Sequence, residues 1–405
     1  MTIPPLSQIA QNMRPSPIRE LFKVIGRPGM ISFAGGLPSP QVFPVREFAE
    51  CSSILQRDGA TLLQYGASEG YPPLTEWLRE ATGQHLRRSI TPEELLVTSG
   101  SQQALDLVGR ALLDPGDVVV VEAPTYPGAI HALRNVGARF AAVPCDGEGM
   151  QVDRLRDVVE AAEKQTGRWP KLIYTIPDFS NPSGACMSLA RRRQLVDTAR
   201  ELGIPVFEDD PYGRLRYLGE PVPALASLDG ASGSVLYASS FSKILAPGVR
   251  VAWIVGPPRL IRALVMLRQG EDLCTPVVTQ GLVAEYCRRG LLERHLPRIL
   301  DHYRVKRDAM QAELRRALPA GGAEWYEPEG GFFFWLRLPG RDSQAVFDRA
   351  IEEKVAFLPG GAFYPGDSEQ VGQVRGGREF ARLAFTFAEP DQIAEGCRRL
   401  AKVLD

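Results

Sequence analysis

No Cys-x-x-Cys pair occurs in this chain, and its six cysteines (Cys51, Cys145, Cys186, Cys274, Cys287 and Cys397) stand apart from one another and from the four histidines. That scatter argues against a metal site and against a disulfide framework. Blocks of like charge are missing too, and the formal net charge is −1. So balanced a chain offers no basic surface for a nucleic acid or an anionic membrane. No apolar run reaches membrane-spanning length, and the opening MTIPPLSQIAQNMRPSP has no charged-then-apolar signal pattern. A cytoplasmic protein is the expectation. Internal repeats and low-complexity tracts are also absent.

What is present fits an ordinary globular protein. The 405 residues, 44% hydrophobic and 23% charged, suffice for two or three domains with sizeable cores. From ELLVTSG onward, strand-like and helix-like runs alternate: DVVVVEAP, TYPGAIHALRNVG, ARFAAVPCD, VDRLRDVVEAAEKQ, KLIYTIPD, ARRRQLVDTARELG, IPVFEDD, SVLYASS and RVAWIVG. Continuous apolar strands separated by amphipathic helices predict an α/β fold, with a mostly parallel sheet covered by helices on both faces. Ligands of such sheets bind beyond the carboxyl ends of the strands. After Gly270 a long charged amphipathic stretch, LLERHLPRILDHYRVKRDAMQAELRRAL, leads into strands and helices that predict a smaller α+β domain. The expected division is an N-terminal arm over 1–44, a large domain over 45–285 and a small domain over 286–405. The arm is rich in Pro and Gly, carries one short helical pattern at IRELFKVI, and is expected to pack with the small domain.

The most informative stretch is Ser239-Ser240-Phe241-Ser242-Lys243, with Arg250 seven residues beyond the lysine. Apolar runs on both sides predict a loop pinned between two buried strands. Burial there lowers the amine's pKa and frees its lone pair for imine formation with an aldehyde such as that of pyridoxal phosphate. The Ser240 and Ser242 hydroxyls and the Arg250 guanidinium can hold a phosphate dianion. The plain alternative is a solvated loop lysine and a surface arginine.

Other strand ends carry groups of the same use. A strand stops at Ser99-Gly100 and a helix begins near Ser101, so Ser101 and Gln102 stand where a helix N-terminus can bind phosphate, or where a serine simply caps a helix. IPVFEDDPY ends on Glu208, Asp209 and Asp210. A carboxylate there can keep a pyridine nitrogen protonated, or it can merely cap a turn. Tyr212 can donate to a phenolate oxygen, Asn181 in a rigid Asn-Pro turn can approach the same oxygen, and Tyr126 can stack on the ring. Core packing and ordinary turns remain the alternatives.

In chain order these segments resemble fold-type I pyridoxal-phosphate enzymes, the class I/II aminotransferases. Within that group SFAGGLPSPQVFP, LLQYGASEGYPPL, SGSQQALDLVGR, EAPTYPGAI, NPSG, EDDPYG and SFSKILAPGVRVAW are most similar to the 2-aminoadipate and kynurenine aminotransferases and their multisubstrate bacterial relatives. The similarity runs from about residue 16 to the C-terminus. It implies pyridoxal 5'-phosphate as cofactor, Lys243 as the imine-forming lysine and proton shuttle, and Asp209 as partner of the pyridine nitrogen. Asn181 and Tyr212 would meet the phenolate oxygen and Tyr126 the ring face. Ser101, Gln102, Ser240, Ser242 and Arg250 would hold the phosphate.

The resemblance further implies that Arg382, in FARLAFTFA, takes the substrate α-carboxylate, with Gly35 and Gly36 lining the pocket. Arg19 would face a distal side-chain carboxylate, and Tyr65 would reach the phosphate of the neighbouring subunit in a homodimer. The activity implied is amino-group transfer between an L-amino acid (2-aminoadipate, glutamate, aromatic or leucine-like) and a 2-oxo acid such as 2-oxoglutarate. The alternatives are a β-lyase, decarboxylase or racemase on the same fold, or a ligand-sensing module without turnover. Two features depart from the pattern. Phe-Thr-Phe follows Arg382 where relatives often carry a more polar stretch, and the winged-helix domain of regulators sharing this fold is not expected here.

Overall fold

The computed structural model describes residues 4–7, 10–11, 28–230, 232–318, 321–366, 370–371 and 376–404. At its centre lie β1 (Leu95–Thr98), β2 (Val118–Ala123), β3 (Arg139–Asp146), β4 (Leu172–Thr175), β5 (Val206–Asp210), β6 (Val235–Ser240) and β7 (Ala252–Val255), in the spatial order β3-β2-β4-β5-β6-β7-β1. Strands β2 to β6 are parallel, and β7 runs antiparallel to both of its neighbours. Apart from β3, every residue of these strands is buried. Runs such as Val118–Val121 therefore lack a period of two, because neither face of the sheet meets water.

The crossovers pass through helices that begin and end where local chemistry allows. Leu189–Leu202, between β4 and β5, starts at Ser188, whose side chain accepts the Arg191 amide, and stops at Gly203 in the left-handed region. Its buried face is Leu195, Val196, Ala199 and Leu202. The long amphipathic stretch after Gly270 forms the helix Leu291–Ala317, which contains Pro297.

A second, antiparallel sheet follows: β8 (Glu324–Trp325), β9 (Phe333–Arg337), β10 (Leu358–Pro359) and β11 (Phe380–Ala384), in the order β8-β9-β11-β10. Helix Pro390–Leu404 packs beside Leu291–Ala317. The short strand Gln370–Val371 extends the large sheet by pairing with β3. Among the described residues no helix is long and apolar enough to cross a membrane.

The segment after Gly29 is sewn to this second sheet. Ile31–Ser32 pairs with Val355–Ala356, Phe33 N donates to Ala356 O, and Ala384 N donates to Phe33 O. Farther along, Thr386 Oγ1 donates to Leu37 O and Ser39 N to the Tyr303 hydroxyl. The helical pattern at IRELFKVI lies outside the described residues.

Phe33 is fully buried, and its ring fills the space where Gly396 lacks a side chain. A Cβ at Gly396 would lie 2.4 Å from Phe33 Cζ and 3.0 Å from Ile31 Cγ2. Gly396→Ala should therefore destabilise the protein by about 1–3 kcal/mol in urea unfolding, through overpacking. A loss below about 0.5 kcal/mol, the range of an ordinary surface change, would show that this seam is not tightly packed.

Candidate active site

Three acids end β5, and the alternation of a strand divides them. Glu208 accepts the Leu225 and Ala226 amides, at 2.7 and 2.8 Å. Asp210 accepts the Tyr237 hydroxyl at 2.8 Å and the Gly213 amide at 2.7 Å. Asp209 is different. Its Oδ2 accepts the Tyr174 hydroxyl at 2.8 Å, while Oδ1 is buried and meets no donor among the described residues. Burial pushes the Asp209 carboxyl up to about 7, against the pull of Tyr174 and Lys243.

Lys243 follows β6, although not in the expected loop. Ser240 Oγ accepts the Ser242 amide at 3.0 Å, and this cap starts a short helix, Phe241–Ile244. The lysine Nζ donates to Gly36 O at 3.4 Å and lies 5.7 Å from the Phe332 ring centroid. Burial, helped by the positive charges of Arg382 and Arg250, lowers its pKa to about 8; Asp209 acts the other way. The amine is thus nearer neutrality than a surface lysine.

Near it, Arg250 reaches across to the start of the first crossover helix. Helix Ser101–Leu112 begins after Gly100 with no side-chain cap. Gly100 has φ +91°, and a Cβ there would strike the Arg250 guanidinium. Arg250, itself left-handed at φ 51°, donates to Ser99 O at 3.2 Å across that gap. The Ser240 and Ser242 hydroxyls are 2.8 Å apart, hydrogen-bonded to each other. Gln102 spends its side-chain amide on Gly128 O, at 2.9 Å, which leaves its backbone as the group to face an anion. Tyr126 caps the following helix, with its ring pressed against Gly128.

Arg382, on β11, is 1% exposed. Its guanidinium carbon sits 4.4 Å from the Phe333 ring centroid and 5.0 Å from that of Phe363. Nη1 donates to Asn181 Oδ1 at 2.8 Å and Nη2 to Ala34 O at 2.5 Å, while Nε has no partner among the described residues. Burial lowers its pKa to about 10, and no carboxylate among the described residues pairs with it. Arg382 is thus a core arginine, whereas Arg250 is exposed. Asn181, whose bond to Pro182 is cis, also binds the Tyr212 hydroxyl. Tyr212 lies edge-on to Phe332 and Phe333. Gly36 is there because a Cβ would come within 2.7 Å of Phe333; Gly35, half-buried, precedes it.

The structure thus gathers Lys243, Asp209, Tyr212, Asn181, Tyr126, Arg382, Gly36 and the Ser101–Arg250 gap. Tyr65 is not in that group: it is 79% exposed. Arg19 lies outside the described residues. Sequence reasoning missed Tyr174, the donor to Asp209, and the Phe333 and Phe363 rings beside Arg382. A tyrosine within the apolar run KLIYTIPD was a signal for the first, since a buried hydroxyl needs a partner.

The profile of one family, aminotransferase class I and II, matches residues 39–400. Aromatic-amino-acid aminotransferase 1 of Thermococcus litoralis is 41% identical over 404 residues, which cover 98% of this chain and 93% of that protein. The 2-aminoadipate transaminase of Thermus thermophilus is 43% identical over 400 residues, with 98% and 95% covered. The crystal structure of Pyrococcus horikoshii kynurenine aminotransferase, in complex with PMP, is similar with a TM-score of 0.92 and 42% identity, covering 98% of this chain and 96% of that one.

A buried carboxyl with a raised pKa destabilises the folded state once it ionises. For Asp209 the penalty is absent at about pH 4 and grows with pH, because the folded state then holds a proton that the unfolded state has lost. It is complete above about 7. Asp209→Asn in cofactor-free protein should therefore gain melting temperature relative to the parent at pH 8 and keep only about a third of that gain at pH 5. An equal shift at both values would show that Asp209 does not titrate as its burial requires.

Proposed function

The chain belongs to the class I and II aminotransferases, and from that membership we propose that the Lys243 site moves an amino group from 2-aminoadipate, glutamate, aromatic or leucine-like L-amino acids to a 2-oxo acid, 2-oxoglutarate foremost. The enzyme is a pyridoxal-phosphate-dependent transaminase. The observation that carries the site assignment is the unpartnered Asp209 Oδ1, a buried acceptor that matches a protonated pyridine nitrogen. When bound, pyridoxal phosphate supplies an aldehyde that takes the amino group and a ring that accepts the electrons released at the substrate Cα.

In this reading Tyr126 covers one face of the ring, and Asn181 and Tyr212 hold its phenolate oxygen. Ser101, Gln102, Ser240, Ser242 and Arg250 hold the phosphate around the gap at Gly100. Arg382 receives the substrate α-carboxylate through the N–H groups that Asn181 Oδ1 and Ala34 O leave free, which fixes the direction of the Cα–H bond. Lys243 Nζ takes the Cα proton and returns it at the other end of the transfer, a role that its lowered pKa supports. Phe332 and Phe333 keep water from the amine.

The same reading assigns Arg19 to a side-chain carboxylate and Gly35 with Gly36 to the pocket wall. It divides the chain into an arm (1–44), a cofactor domain (45–285) and a small domain (286–405). It also takes the enzyme as a cytoplasmic homodimer in which Tyr65 completes the partner's phosphate site. The exposure of Leu63 (77%) beside Tyr65 (79%) supports a covered surface there.

A screen of amino donors against 2-oxoglutarate, read by 2-oxo-acid formation, tests the activity. Aromatic donors and 2-aminoadipate should both give product, and Lys243→Ala should give none. Near-normal transfer by Lys243→Ala would remove Lys243 from its role. Subunit sharing has a separate test: mixing Lys243→Ala chains with a severely impaired Tyr65 variant should restore activity, since each hybrid keeps one intact site. Verified hybrids without recovery would overturn sharing.

A further inference from the structure

Strand β2 reads Val118-Val119-Val120-Val121 and then places a carboxyl, Glu122, at 1% exposure. The assigned chemistry does not use it. Glu122 Oε1 accepts the Thr175 hydroxyl at 2.7 Å, and Oε2 accepts the Ile176 amide at 3.4 Å and the Ser180 hydroxyl at 3.3 Å. All three donors belong to the end of β4 and the turn after it, which delivers Asn181 to Arg382. Burial pushes the Glu122 carboxyl up to about 7 against the pull of those donors.

That turn needs holding. Phe179, two residues before Asn181, has φ +51°, a left-handed conformation that costs a large side chain free energy. Its ring is fully buried, and Cβ atoms at Gly330 and Gly331 would lie 2.4 and 2.5 Å from its atoms. Ser180 closes the turn through its backbone: its amide donates to Ala185 O at 2.9 Å, and its carbonyl accepts the Gly184 amide at 2.7 Å. The Ser180 hydroxyl is the link from this ring to Glu122.

We propose that Glu122 is a positioning residue for the substrate-carboxylate clamp, holding the Phe179–Asn181 turn so that Asn181 Oδ1 meets Arg382. Four residues beyond Glu122 the same strand delivers Tyr126, so one carboxyl sets the spacing of two segments of the site. The inference rests on the reading of Arg382 as the substrate-carboxylate arginine.

The test uses the full chain with Glu122→Ala, Glu122→Gln and Ser180→Ala. Two readouts are taken: steady-state KM and kcat for an amino donor, and binding of an unreactive dicarboxylate, maleate, to cofactor-free protein. Losing this buried hydrogen-bonded acceptor in Glu122→Ala should raise KM and weaken maleate binding about tenfold each, with kcat changed by less than about threefold. Glu122→Gln should recover most of the binding, because its amide oxygen still accepts from Thr175. Ser180→Ala should shift both readouts in the same direction as Glu122→Ala by a smaller factor, and add nothing when combined with it.

A folded Glu122→Ala protein with lower melting temperature but unchanged KM and maleate affinity would overturn the proposal, as a carboxyl that only stabilises the core behaves that way. If Glu122→Ala fails to fold, Ser180→Ala with unchanged maleate affinity would overturn it equally. A parent enzyme that binds maleate but transfers no amino group would sink the activity reading and leave the Glu122 result standing.

Discussion

A guanidinium taken almost wholly out of water needs acceptors and polarisable surface around it, and the arrangement about Arg382 is organised by that need. The centroids of the Phe333 and Phe363 rings lie 4.4 and 5.0 Å from the cation. Such contacts gain strength where water is excluded, yet they do not replace a counterion. Two neutral oxygens, Asn181 Oδ1 and Ala34 O, take Nη1 and Nη2. The segments carrying those oxygens come from opposite parts of the chain, and each has its own anchorage. One is the turn after β4, and the other is the extended segment sewn to the second sheet. Under the proposed role of Arg382, an arriving carboxylate would find its partner already desolvated and oriented, so little of the binding free energy would go into arranging the protein.

The same exclusion of water acts on three ionisable groups and moves each toward its neutral form. Asp209 rises to about 7, Lys243 falls to about 8, and Arg382 falls to about 10. Their mutual interactions are smaller than this common cause. Lys243 lies within the influence of two cations and one acid, and the cations prevail. An amine in that field carries a proton weakly, which suits the proton transfer proposed for it. Asp209 is in the opposite position: it needs a cationic partner to keep its charge, and one of its oxygens has no hydrogen-bond partner among the described residues.

Much of the scaffold was legible because physics leaves few choices for such segments. Four valines in a row, bounded by turn residues, can only be a strand covered on both sides, and Lys243 between two such strands had to stand at a sheet end. The three acids closing β5 could not be ranked by residue type. Strand alternation separated them, with Glu208 and Asp210 engaged by backbone amides and Asp209 left with one oxygen unpaired among the described residues. Burial of Arg382 was not readable from FARLAFTFA, since it depends on aromatic rings from β9 and from the Phe363 turn. Gln102 was expected at the phosphate, and its side chain proved committed to Gly128 O. The loop assigned around Lys243 is a short helix because Ser240 can cap it, a possibility that hydroxyl residues always carry.

The seam between the segment from Ile31 to Ser39 and the strand ending at Ala384 bears on how this chain can exchange parts with its relatives. Ala34 and Arg382 are 348 positions apart, and Leu37 and Thr386 are 349 apart, yet each pair shares a hydrogen bond. A chimaera whose crossover point falls anywhere between them inherits the carbonyl from one parent and its donor from the other. For recombination the two ends of the chain behave as a linked block, and Asn181 ties the middle of the chain to the same arginine.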